Sequence, residues 1–542
     1  MRISSLRDGA ILNANVHTMD PARPAAEAVA WRDGRITLVG TSKEVLASRP
    51  SGSLVDAHGG TVTPGLIDSH THPIWGAELA RGVDLGGLTS FRAVLAALRA
   101  EADATIRKGE QWIFAWNLDY AALEGRPIRG VDFTDAVHAM PTVVMFHDLH
   151  TGVATDAALA HAGIDGSETF ADQSVVVVDA EGRPTGELRE PSAYNLLLRA
   201  CPKVTRSQLR AHTTRVLRDF ARTGLTGGVV MDGSLDTLDL LAEIETTEDL
   251  PIRLDVALWH EPGRGDDGVE EFVARRTDRG RRWRTGMIKL FLDGVVETGT
   301  AWLYEPDTCG HSHKSYWTDR ERFADVVSRY AAEGFQIATH AIGDRAVGEV
   351  VETYRKVGIL AANGAPHRIE HIETLTDADL SGMGRLGATA SMQPLQMQWR
   401  RHDRSDKWSS RLGPDRASRA YRTRDMLNLG IPLTLGSDWP VAPFDPRVGM
   451  AWAQLRRPPG LAGSAVFEPH QVLRPAEALH GYTAAAAKAL GDTSRGRVVE
   501  GMAADLTCFG GDPLRVPADE LPELPVLATI VDGGCSFREE RP

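Results

Sequence analysis

Eight short apolar runs, each bounded by Gly, Pro or Asp, constrain the fold of this chain more than any other feature. They are Leu66 to His72, Leu225 to Met231, Arg253 to Trp259, Met287 to Asp293, Gln336 to Ala341, Arg368 to Ile372, Ala388 to Gln393 and Pro432 to Trp439. Seven of them follow one another at intervals that a helix bridges. Glu321 to Ala332 serves before the fifth run and Ala417 to Leu429 before the eighth. Strands alternating with helices call for parallel pairing with crossover connections, and eight of them suit a closed (β/α)8 barrel of the TIM type. An open doubly wound sheet is the competing arrangement.

About 150 residues separate the first run from the second, too many for a plain loop inside a compact domain. This insert carries a helical pattern at Phe91 to Ala104 and strand-like runs at Trp112 to Trp116, Thr142 to His147 and Ser174 to Val178. Asp179 to Pro184 reads as a hairpin turn. The insert is expected to be a subdomain, about residues 80–205, over the barrel mouth. At the two ends of the chain, Gly9 to Met19, Ala28 to Val39, Ala504 to Phe509 and Val526 to Val531 alternate like strands, with turns at Asp33-Gly34 and Asp532-Gly533. Neither end can bury a core alone. The expected organisation is one β-sandwich shared by residues 1–63 and 496–542, with a barrel over 64–495.

Composition narrows the class of partner. The formal charge is −13, with no basic run to offset it, which argues against nucleic acid and anionic membrane. No segment approaches ~18 consecutive apolar residues, and no apolar leader pattern is visible at the start. The four cysteines, Cys201, Cys309, Cys508 and Cys535, lie far apart and lack C-x-x-C spacing. Together these features suit a cytoplasmic protein. No interface signature stands out, although hydrophobic edges on the barrel helices could support a homodimer.

Chemistry-bearing residues collect at the ends of the predicted strands. The first run ends in His70-Thr71-His72-Pro73. Side chains two apart in a strand leave the same face, so His70 and His72 can grip one ion. The fifth run supplies His340 and, just beyond, Asp344. The sixth supplies Glu370 and His371, the eighth Asp438, and the fourth a lysine, Lys289, among apolar neighbours. Each has an ordinary alternative: His340 or His371 as a hydrogen-bonded barrel residue, Asp438 as a turn cap, Lys289 paired with a barrel carboxylate. All of them on the C-terminal rim of one barrel make a metal site the better reading. Trp75, Trp302 and Trp439 follow the same strands, and an aromatic mouth of this kind would receive a bulky substituent.

Thr63-Pro64-Gly65-Leu66-Ile67-Asp68-Ser69-His70-Thr71-His72, Lys289 to Gly294, His340 to Ala346, His367 to His371 and Gly436 to Val441 resemble the amidohydrolase superfamily. The likeness is to its branch that includes N-substituted formamide deformylase and related metal-dependent hydrolases. It implies an amidohydrolase barrel with two divalent ions, zinc in the first instance, with manganese, iron or cobalt able to occupy the same frame. His70 and His72 would hold the more buried ion and His340 and His371 the more exposed one. Lys289 would bridge them as a carbamate, and Asp438 would bind metal and move protons. The catalytic set is then Asp438, Lys289 and His340, with Asp344 and Glu370 as candidates to orient imidazoles or to serve as plain salt bridges. His150 falls where the branch has a Gly-His segment followed by an Asn, which implies a substrate contact at His150, and Thr155 stands in place of that Asn. The expected function is hydrolysis of a linear amide C–N bond, of an N-substituted formamide or N-acyl amine, by a water that the metals deprotonate. Cyclic amide opening, aryl amine deamination and ester cleavage on the same site are the alternatives, followed by a binding protein that has lost catalysis.

Overall fold

A computed structural model describes residues 7–79, 81–170 and 172–539. The eight runs form one parallel sheet in sequential order. Its strands are β1 (Leu66–Thr71), β2 (Leu225–Gly233), β3 (Arg253–Trp259), β4 (Trp283–Phe291), β5 (Gln336–Ala341), β6 (Arg368–His371), β7 (Thr389–Met392) and β8 (Leu433–Leu435). The sheet closes between β1 and the segment after β8. Asp438 N–H donates to His70 C=O and His72 N–H to Trp439 C=O, both at 2.7 Å, and Thr71 bridges Trp439 in parallel register. These bonds exclude the open sheet and place the closure at the histidine pair.

Helices cover the outside, among them Arg206–Arg222, Leu235–Glu245, Arg320–Ala332 and Asp344–Val357. Their apolar faces pack against the strands in one large core that includes Phe220, Leu241, Val327 and Val350. The opposite end of the barrel is stoppered by Ala486, Ala487 and Leu490 packed on Ile67, Val229, Met287 and Ala338. Two local expectations change. The helix expected over Ala417 to Leu429 is instead Lys407–Ala417 followed by Thr423–Asn428. The break falls at Tyr421, which is buried with a left-handed backbone (φ 44°) and bonded through its N–H to Glu373 C=O. Regular β4 pairing stops at Phe291, before Asp293, whose carboxylate is turned to backbone amides of the neighbouring loops.

The insert builds a second sheet in which Val83–Asp84, Ile113–Leu118, Thr142–Phe146, Thr151–Ala154, Pro184–Arg189 and Val175–Val178 are neighbours in that order. Its helix Phe91–Lys108 buries Val94, Leu98 and Ala102 against that sheet. The strand Thr151–Ala154 has no counterpart among the expected runs. The chain ends share a further sheet: Leu506–Phe509 pairs antiparallel with Thr61–Pro64, which lies beside Asn15–His17. A four-stranded sheet from the N-terminal part faces it across Ile11, Val29, Trp31, Val62, Leu506 and Ile530. Asp33-Gly34 and Asp532-Gly533 all carry positive φ, as two-residue hairpin turns require, and the Trp31 indole N–H donates to Gly533 C=O at 3.1 Å.

Candidate metal centre

His70 and His72 leave the end of β1 side by side, both buried, with ring centroids 5.3 Å apart. Asp438, in the loop after β8, brings Oδ1 to 3.2 Å from His70 Nε2 and 3.0 Å from His72 Nε2. Ligand atoms of these three residues lie within 4.8 Å of one another. The imidazoles continue as a chain across the barrel mouth, with His70 to His371 at 4.7 Å and His371 to His340 at 4.5 Å between centroids. Lys289, fully buried on β4, points its Nζ to 3.4 Å from His70 Nε2. The sequence-predicted cluster His70, His72, Lys289, His340, His371 and Asp438 therefore meets in one place. His371 and Asp438 sit at positive φ (72° and 62°), strained backbone of a kind that collects at functional sites.

A second layer of buried groups holds this cluster. Glu370 Oε2 accepts from His70 Nδ1 at 2.7 Å, leaving Nε2 to face Lys289 and Asp438. Arg368, also fully buried, grips Glu370 through Nε at 2.8 Å and anchors itself on Ser69 C=O and Ser391 Oγ. Asp68 Oδ1 accepts the backbone N–H groups of His70 and Ser437, both at 3.0 Å, and so locks β1 to the loop after β8. Asp293 collects the N–H groups of Trp302, Ile342 and Gly343 and lies 3.7 Å from His340 Nε2.

The electrostatics favour ligation. Burial pushes His72 down to about 4 and His340 and His371 well below the ordinary imidazole value, so their lone pairs are free at neutral pH. Burial likewise lowers Lys289 to about 8, against the pull of Glu370 and Asp438. Burial would raise Asp438, but His70, His72 and His371 outweigh it and hold the carboxyl well below the usual range. Nδ1 of His72, His340 and His371 and Oδ1 of Asp438 are buried without a hydrogen-bond partner. Buried polar atoms normally find partners, so this cluster of orphaned acceptors fits a cation at its centre.

Comparison with known proteins agrees with this architecture. Residues 53–537 match the family model described as "Amidohydrolase family". The chain belongs to the amidohydrolase family. It is 28% identical to the putative amidohydrolase YtcJ of Bacillus subtilis over 97% of this chain and 98% of that protein. It is also 28% identical to the N-substituted formamide deformylase of Arthrobacter pascens, over 98% of each chain. An uncharacterized metal-dependent hydrolase from Pyrococcus horikoshii shares the fold, with a TM-score of 0.74 at 22% identity, over 94% of this chain and 99% of that one.

In this amidohydrolase the cluster opens into a cavity between the barrel and the insert, with His72, His340, His371 and Asp438 on its floor. Trp75 is in its wall, stacked on His72 at 5.3 Å and leaning on Trp259 at 4.5 Å. His150 is in the wall too, 5.6 Å from His340 between centroids. Its Nδ1 meets Glu190 Oε2 at 2.7 Å, and Thr300 Oγ1 donates to the other Glu190 oxygen at 2.8 Å. Burial opposes charge on His150, but Glu190 prevails and raises it to about 9.

Trp302 and Trp439 lie outside the cavity wall. Trp302 packs under Arg320 and Arg345 and gives its N–H to Asp293. Trp439 is wedged edge-on against Phe220 and Phe444, where its backbone rather than its ring serves His72. Asp344, the first residue of its helix, accepts from Tyr304 N–H at 2.9 Å and is bonded to none of the six clustered residues; Glu370 alone of the two orients an imidazole. Thr155 is buried, bonded to Met140 C=O and Thr142 N–H, away from the cluster.

Sequence reasoning assigned no role to Asp68, Asp293, Arg368, Glu190 or Gln396. The first three carried a signal, an ionisable residue inside or at the end of an apolar strand. Glu190 stands 40 residues from His150, and Gln396, whose Nε2 donates to Asp438 Oδ2 at 2.8 Å, follows no local pattern.

Proposed function

We propose that this amidohydrolase cleaves the C–N bond of linear amides, N-substituted formamides or N-acyl amines, with the six clustered residues as its metal ligands. The observation that supports the reading most is the convergence of neutral imidazoles and an ionised Asp438 on the floor of a cavity lined by aromatic rings, with the buried Lys289, lowered to about 8, reaching the same cluster through His70. His70 and His72 would hold one ion and His340 and His371 the other, with Lys289, as a carbamate, supplying an anionic ligand to both. Bound divalent ions, zinc in the first instance, acidify a water toward neutrality and polarise a carbonyl.

The chain's own residues do the rest. Asp438 accepts the proton released as water attacks and delivers it to the leaving nitrogen when the C–N bond breaks. Gln396, donating to Asp438 Oδ2, leaves Oδ1 as the oxygen that turns to the reacting atoms. Trp75 and Phe291 line the cavity, with Trp259 packed on both rings at 4.5 Å between centroids, and an apolar substituent would lie against the two lining rings.

The test is metal content per chain on protein purified without chelator, followed by product analysis on a panel of N-alkyl and N-benzyl formamides and acetamides. About two ions per chain and release of free amine are expected. One ion per chain would withdraw the bridging role of Lys289. No metal, and no amine released after adding zinc or manganese with bicarbonate, would overturn the reading.

A further inference from the structure

The outer half of the same cavity holds carboxyl groups that the chemistry on its floor does not use. Asp148, Glu297 and Glu373 line it, interleaved with Trp399, Trp408 and Tyr421. Asp148 accepts from the Tyr120 hydroxyl at 2.8 Å and from His150 N–H at 3.0 Å. Glu373 accepts from the Trp408 indole N–H at 2.5 Å and from the Tyr421 hydroxyl. These donors are neutral and bring no positive charge, while burial, with Glu373 and Asp148 beside it, raises the Glu297 carboxyl well above its ordinary value, so that a bound cation is what would ionise it. Glu297, facing both of the other carboxylates, has no side-chain partner among the described residues.

The neighbouring cations have partners of their own. Arg400 is clamped on Glu468 at 2.7 and 2.9 Å, Lys407 lies over the Tyr120 ring at 4.6 Å, and His150 is bonded to Glu190. A second observation on the same wall points to a ligand. Gln396 is more than nine-tenths buried and commits its Nε2 to Asp438, and its Oε1 has no partner. His147 Nδ1, beside Asp148 and stacked on Trp399 at 4.2 Å, is also without one. The wall thus offers carboxylates and aromatic faces, which suit a ligand that brings positive charge. Glu297, Trp399 and Trp408 also line the surface cleft between residues 119–126 and 398–408, which puts Glu297 at the cavity's outer end.

We propose that the outer half is a cation subsite, and that the preferred substrates are N-acylated diamines: linear amides whose amine part carries a second, protonated amino group. The inference rests on the linear-amide reading for the reaction but not for the binding. The acyl carbon would lie at Asp438 and the ammonium among Asp148, Glu297 and Glu373, with the methylene chain along the aromatic wall.

Two measurements on the metal-loaded enzyme test it. In the first, monoformyl diaminoalkanes of three to six methylenes are compared with N-alkylformamides of matched length. At the best length the ammonium substrate should lead in kcat/KM by about tenfold or more, and Glu297→Gln should cut that preference about fivefold, with Glu297→Asp retaining it. In the second, binding of pentyltrimethylammonium, which has no lone pair to offer a metal, is followed by calorimetry and should weaken about fivefold in Glu297→Gln. If formamides are cleaved with no preference for the ammonium at any length, the subsite is refuted and the linear-amide reading stands. If no formamide is cleaved but the quaternary ammonium binds and responds to Glu297→Gln, the linear-amide reading falls and the subsite stands. Absence of quaternary ammonium binding to the wild type, or binding indifferent to Glu297→Gln, overturns the proposal.

Discussion

Replacing Glu370 with Gln tests how the centre is held together. The wild-type carboxylate accepts from His70 Nδ1 at 2.7 Å, so the Nδ1 proton is fixed and Nε2 presents its lone pair to Asp438 and Lys289. Gln keeps the shape but carries one acceptor and one donor. If its oxygen stays on Arg368 Nε, where Glu370 now accepts at 2.8 Å, its NH2 faces His70 and drives the ring proton onto Nε2, the nitrogen needed for ligation. If the amide turns over, its NH2 faces the Arg368 guanidinium and leaves a buried cation unpaired.

Loss of such an orienting partner typically costs 10–100-fold in metal affinity, or about 1.4 to 2.7 kcal/mol. Breaking the buried pair adds a stability loss of about 3 kcal/mol, the low end of the usual range, because one acceptor survives. The pH dependence carries a sign. Burial would raise the Glu370 carboxyl, but Arg368 and His70 hold it well below its ordinary 4.5. Its stabilising contribution is therefore complete above pH ~4.5 and fades as pH falls below that, a dependence that the Gln variant lacks. Chelator competition gives the metal Kd, and melting scans between pH 3.5 and 7 give the rest. A metal Kd within twofold of wild type, with full activity at stoichiometric metal, would refute the claim that Glu370 sets His70 for ligation.

Two further outcomes follow from named contacts. A Cβ on Gly76 would stand 1.9 Å from the Trp439 ring, so Gly76→Ala should displace Trp439, whose carbonyl accepts from His72 N–H; it should cost about 1–3 kcal/mol and weaken metal binding, read by melting and chelator competition. Lys289 lies near 8, so at fixed dissolved CO2 the rate at which metal-free protein regains activity with zinc should rise about tenfold per pH unit up to 8 and level off above it; a flat profile would remove the lysine amine from that step.

Much of the frame was legible in the residues because it depends on local periodicity. Short apolar runs with helical spacers specify strand and crossover whatever the partner strand is, and all eight strands fall where the runs do. His70 and His72 share a destination because two residues make one strand period. The hairpins at Asp33-Gly34 and Asp532-Gly533 follow from backbone sterics alone.

What only the tertiary structure decided is which of several plausible acids and aromatics meet the cluster. Asp344 and Glu370 both stand within a few residues of a predicted histidine ligand, yet one accepts from the Tyr304 backbone and the other holds His70, 300 residues away in the chain. Trp75 and Trp439 both stand beside a predicted ligand, but the ring of one turns into the cavity while the other is held outside by Phe220 and Phe444. The acidic outer wall joins Asp148 of the insert, Glu297 after β4 and Glu373 after β6, three segments with no mutual signal in sequence. Periodicity orders neighbours a few residues apart along one element. Closing the barrel and laying the insert over its mouth brings together side chains hundreds of residues apart, and that placement depends on packing summed over the whole chain.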